Sequence, residues 1–171
     1  MEKKDPKIIK LEKEISSLTG DRLVELITSL REEKSFSGVI ALMADLYSST
    51  AEVAVRSEIE KFLFDLKDPE LAVEVIAAIE QSTDEATRNT LLSSCWQSRI
   101  DYSDHLDFFI DYSISGSYMN ALDCLTVIEQ YISSAGNDVR KRGIKRISAA
   151  AANLDDEKQV LLREIISILE S

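Results

Sequence analysis

Apolar residues recur along this chain at spacings of three and four almost without a break, the period of an α-helix rather than the alternation of a strand. The pattern predicts ten helices, at about 6–18, 21–32, 37–47, 51–66, 69–81, 84–98, 103–114, 117–133, 137–152 and 155–170. The predicted breaks carry suitable residues. Asp68 and Pro69 place a proline at a helix start, where its missing N–H costs nothing. Ser82, Thr83 and Asp84 offer N-caps before the sixth helix, Gly116 and Ser117 separate the seventh from the eighth, and Gly136, Asn137 and Asp138 open the ninth. Connections this short force neighbouring helices to run antiparallel. The expected fold class is therefore all-α, a stack of antiparallel helix pairs in one domain over residues 1–171.

The faces of these helices change along the chain. The first helix has one apolar stripe, Ile8, Leu11, Ile15 and Leu18, and the second is similar with Leu23, Val24, Ile27 and Leu30. In the fourth, Val55, Ile59, Phe62 and Leu66 form the main stripe while Val53 and Phe64 point nearly the other way. The fifth, from Leu71 to Ile79, is apolar almost all round. A helix covered on several sides lies between neighbours. Residues 1–33 accordingly read as N-terminal cap helices and 36–170 as helix-pair repeats, with Phe62 and Ile76 as core positions shared between successive pairs.

A weak internal repeat points the same way. The segment Ala51 to Arg56 (AEVAVR) matches Thr83 to Arg88 (TDEATR) at an offset of 32 residues, and an apolar residue follows each arginine three positions later, Ile59 and Leu91. The apolar pattern returns at Ala121, Leu122 and Leu125, with Leu122 in the arginine place. A period in the thirties is the length of one helix pair. These segments resemble HEAT repeats, whose second helix often opens with an acid followed by Val-Arg, and more loosely armadillo repeats. Glu52, Val55 and Arg56, then Asp84, Thr87 and Arg88, carry the likeness, and Asp138, Val139, Arg140 and Gly143 repeat it out of register. The resemblance spans roughly residues 20–170 and implies an α-solenoid. It also implies that Arg56 and Arg88 bond an acid or a carbonyl of the adjoining repeat.

Composition adds sign to this picture. The chain carries a net charge of −11, opposite to that of a protein built to hold nucleic acid through lysine and arginine. Either solubility or a basic protein partner accounts for it. Cys95 and Cys124 both fall within helical patterns and read as small core residues of a reduced, cytoplasmic protein. The opening residues have charges but no apolar stretch after them, and no apolar run reaches the roughly 18 residues of a membrane span, so neither a signal peptide nor a transmembrane segment is expected.

Four groups of residues stand out as candidate sites. From Asp101 to Tyr112 (DYSDHLDFFIDY), helical spacing places Asp104, Asp107 and Asp111 on one face and His105, Phe108 and Tyr112 on another. The acids read as a solvated face or as a docking strip for a basic partner, and the aromatics as packing against the next helix or as a recognition surface. One histidine without cysteine or glutamate at ligand spacing is a poor metal set, and no metal is expected. Trp96, the single tryptophan, reads as core first and as an interface anchor second. The run Val139 to Arg146 (VRKRGIKR) holds five bases and no acid; Lys141, Arg142, Lys145 and Arg146 face away from Ile144, Ile147 and Ala151, whereas Arg140 falls inside the apolar arc and should be paired. That face is either balanced by neighbouring acids or open to an anionic partner, such as an acidic protein, nucleic acid or lipid headgroups.

No Ser-His-Asp grouping, phosphate-binding glycine loop, dinucleotide motif or His-Glu zinc motif occurs. The sequence thus leads to a non-catalytic protein-interaction scaffold without a cofactor. Its alternative is a binder of nucleic acid or membrane surface through residues 140–146.

Overall fold

The computed structural model describes residues 5–153 and 155–171. Those residues form ten α-helices and no strand: α1 Pro6–Ser17, α2 Gly20–Glu32, α3 Val39–Ser49, α4 Val53–Phe64, α5 Ala72–Gln81, α6 Glu85–Gln97, α7 Leu106–Ser115, α8 Tyr118–Tyr131, α9 Asn137–Ala151 and α10 Asp156–Glu170. Short 3-10 turns, Pro69–Leu71 and Ser103–His105, lead into α5 and α7, and Ile132–Ser134 extends α8. No helix of the described residues is long and apolar enough to cross a membrane. Two compact units divide between Ile100 and Asp101.

In the first unit α3 pairs with α4 and α5 with α6, while α2, α4 and α6 pack in succession and α1, α3 and α5 do likewise. The core between these two rows holds Ile27, Ile40, Met43, Ile59, Leu63, Ile79, Leu91 and Leu92, all fully buried. In the second unit α7 pairs with α8 and α9 with α10, α7 packs on α9, and α8 packs on α10. Leu106, Phe109, Ile110, Val127, Ile128, Leu162 and Ile165 fill its centre together with Tyr102. Cys95 and Cys124 are buried free thiols.

The helix starts are fixed locally. The side chains of Asp5, Asp68, Asp84 and Asp155 accept from backbone N–H groups of the turns they precede, and Ser117 with Asn120 closes a reciprocal capping box on α8. Gly38 sits at φ +89°, a conformation that costs a residue with a Cβ, and its N–H donates to both carboxylate oxygens of Glu74 on α5.

Three readings of the faces are corrected. Val53 and Val73 are exposed, and Phe64 and Ile76 are only half-buried, so the second apolar side of α4 and of α5 is not enclosed. Phe62 is buried as expected, but Ile76 is not a full core position. Apolar residues on two sides of a short helix show that both sides could be covered, not that a neighbour covers them.

Candidate interaction surface

The repeat arginines act within a helix pair. Arg56 Nε donates to the carbonyl of Thr50, the C-cap of α3, at 3.0 Å, and Arg88 Nη2 donates to that of Ser82, the C-cap of α5, at 2.6 Å. Arg56 also lies over the ring of Tyr47, and Arg88 pairs with Glu85 on its own helix. The partner is thus the end of the preceding helix of the same pair, where carbonyls lack an intrahelical donor, rather than an adjoining repeat. Arg140 on α9 likewise caps the end of the helix before it, here between pairs, donating to Ile132 at 2.7 Å and to Ala135 at 3.5 Å.

Six residues after the C-cap of α7, the spacing of Arg56 and Arg88 from the carbonyls they hold, stands Leu122, one position further into its helix than the arginines. There the carbonyls of Ile114 and Gly116 accept instead from Nζ of Lys158, which reaches them from the first turn of α10. Lys158 is buried, and that burial holds its ammonium below the ordinary lysine range, with Asp155 and Cys124 acting in the opposite sense. Leu122 is thereby left with no capping task, and it faces water at 38% exposure.

Leu122 has company. Tyr118 is 44% exposed and Met119 54% exposed, and with Leu122 they occupy one side of α8 at spacings of three and four. On α10, Val160 is 64% exposed. Both Leu122 and Val160 are the fifth residues of their helices, and the Lys158 bonds set the start of α10 beside the start of α8. In the sequence Leu122 reads as part of the repeating apolar pattern, and nothing there singles out this stripe. Three outward apolar residues on one side of a helix form a patch, which scattered surface leucines do not, and Val160 adds a fourth exposed apolar side chain on the helix packed beside it.

The predicted sites are placed differently. Trp96 lies at the surface, 36% exposed, rather than in the core. Asp104 belongs to the 3-10 turn before α7 and is exposed there, whereas Asp107 and Asp111 stand on α7 itself. His105, Phe108 and Tyr112 are half-buried; Phe108 and Tyr112 stack at 5.4 Å, and the ring of His105 meets Tyr102 edge-on at 6.4 Å. Among the described residues no group of three or more His, Cys, Asp and Glu could hold a metal ion.

Acids of α7 and bases of α9 answer one another. Arg142 Nη2 lies 2.8 Å from Asp107 Oδ2, and Arg146 bridges Asp107 and Asp111. The hydrogen bond from Arg142, and after burial opposes it that from Arg146, hold the Asp107 carboxyl below the usual carboxylate range. The face of four bases expected at Lys141, Arg142, Lys145 and Arg146 is therefore reduced: Arg142 and Arg146 are balanced by the acids of α7, and Lys141 and Lys145 remain exposed, while Arg140, expected to be paired, caps carbonyls. Likewise Asp107 and Asp111 are neither a plain solvated face nor an open docking strip.

The first unit contains a cleft of about 660 Å³, bordered by the end of α2 and the turns at 33–36 and 65–69. Leu30, Val39, Phe62 and Leu66 line it, Arg31 pairs with Asp65 at its edge, and Glu33 is held by Lys7. Comparison of the chain with protein-family models, curated proteins and solved structures found no match.

Proposed function

We propose that the chain is a HEAT-like protein-interaction scaffold that works by docking a partner on the outer side of α8, without chemistry of its own. The carrying observation is the apolar stripe Tyr118, Met119 and Leu122, which lies exposed on α8 while Lys158 of α10 holds the carbonyls at the end of α7. Tyrosine and methionine suit such a task, one as a broad anchor with a polar tip and the other as a side chain that adapts its shape. The two buried free thiols fit a reducing, cytoplasmic setting.

A stripe kept for binding can be lost without loss of the fold. Met119→Ser combined with Leu122→Ser is expected to change stability by less than about 0.5 kcal/mol in urea unfolding, the usual range for surface positions. The same variant should lose partners that the native chain retains, measured by quantitative mass spectrometry of tagged chains expressed in the source cells. Strong destabilisation would make the stripe structural, and an unchanged set of partners would remove α8 from the binding surface.

A further inference from the structure

Charge in the second unit is divided between its two helix rows. All five bases of the run 140–146 lie on α9, where Arg142 and Arg146 meet the acids of α7. The row formed by α8 and α10 is the reverse. Helix α8 carries no lysine, arginine or histidine, and on α10 Lys158 is buried, leaving Arg163 as the exposed cation. Glu129, Asp156, Glu157, Glu164 and Glu170 are exposed on this row. Among the described residues no ion pair reaches Glu129, Glu157 or Glu164.

These acids frame the apolar stripe. Along the outer side of α8, Tyr118, Leu122 and Glu129 follow at helical spacing, and Glu157, Val160 and Glu164 do so on α10. The two helices pack on each other, and Lys158 sets the start of α10 beside that of α8. Packed helices lie about 8–10 Å apart, which leaves a shallow groove between their outer faces. The exposed side chains of these two helices include the apolar Tyr118, Met119, Leu122 and Val160 and the acids Glu129, Glu157 and Glu164.

Resting on the proposed docking role of α8, we infer that this groove receives a basic amphipathic helix of a partner protein. The apolar residues of that helix, at spacings of three, four and seven, lie on Tyr118, Met119, Leu122 and Val160. Its flanking lysines and arginines meet Glu129, Glu157 and Glu164. The acids select against an anionic lipid surface, which they repel. A second copy of this chain offers in its basic run only the exposed Lys141 and Lys145, since Arg142 and Arg146 are already held by Asp107 and Asp111.

The test titrates the whole ¹⁵N-labelled chain with a synthetic helix of about 18 residues, five turns, made only of Leu and Lys in amphipathic order. A peptide with Glu in place of every Lys serves as control. The expected result is binding of the Leu-Lys peptide alone, with amide shifts concentrated at 118–129 and 157–164. Glu157→Lys with Glu164→Lys should weaken it about tenfold or more, as should Met119→Ser with Leu122→Ser, while Lys141→Glu with Lys145→Glu should leave it within about twofold. Equal binding of the Leu-Glu peptide, or shifts centred outside α8 and α10, would overturn the inference. Loss with the serine variant but not with charge reversal would refute the basic partner and leave α8 as a docking surface. Indifference to both would remove the two proposals together, and concentration-dependent self-association through the same residues would replace the partner by a second copy.

Discussion

Phe109→Ala is expected to lower stability by about 3–5 kcal/mol, the usual range for deleting a fully buried aromatic side chain. Phe109 is wholly enclosed, and it meets the ring of Tyr102 edge-on at 5.6 Å and that of Phe108 at 5.1 Å. These rings tie α7 to the segment that leads into it, so the alanine leaves a cavity that no single side chain can close. Phe108, its half-buried neighbour, is the internal control. Phe108→Ala should cost less than half as much in urea unfolding. Equal losses at the two positions would contradict the burial assigned to them.

The second large effect concerns Glu58. Its side chain is 6% exposed and meets Arg31 at 2.7 Å and Lys61 at 3.0 Å. Burial alone would raise this carboxyl, but hydrogen bonds from Arg31, Lys61 and Thr28 outweigh it, and the net shift is downward. Arg31→Ala leaves a buried carboxylate with Lys61 alone, and the expected cost is about 3 kcal/mol, the low end for breaking a buried pair. The sign with pH follows from the lowered value. A carboxyl held lower in the folded chain than in the unfolded one stabilises fully above its unfolded pKa, near 4.3, and that stabilisation is lost as pH falls through the folded value. Urea midpoints measured from pH 7 downward should therefore drop in the native chain below about pH 4.5, and drop less steeply in Arg31→Ala. A native acid limb that the substitution does not alter would show that Glu58 is not its source.

Periodicity made the ten helices legible because each has an apolar stripe long enough to outlast local ambiguity. The turns before α5 and α7 were read as helix because a 3-10 turn shares the i, i+3 spacing. That blurred the start of α7 and placed Asp104 on the helix rather than in the turn before it. Trp96 lay one residue, about 100°, from the buried Cys95, and one step round a helix separates core from surface. The basic run was legible as a run, but not its neutralisation, because Asp107 and Asp111 stand some 35 residues earlier and meet it only through the packing of α9 on α7.

The broken register of the repeat has a physical cause. Arg56, Arg88 and Arg140 are each the fourth residue of a helix, and each caps carbonyls at the end of the helix before it. That task exists at every helix-to-helix turn, within a pair or between pairs. The motif therefore marks a turn and not a repeat, and its return on α9 has no bearing on the period. The stripe on α8 was hidden for a related reason: the sequence shows Leu122 where an arginine is expected, but not that Lys158 takes over its carbonyls from α10.

The docking role of α8 is tested most directly by placing a photo-reactive phenylalanine analogue at position 119 of the whole chain in the source cells. Position 148, an exposed serine on α9, serves as the reference. Irradiation is expected to give a discrete crosslinked protein from position 119 that position 148 does not give, with the crosslinked segment rich in lysine and arginine at helical spacing. No product at 119, or the same products from both positions, would contradict the account.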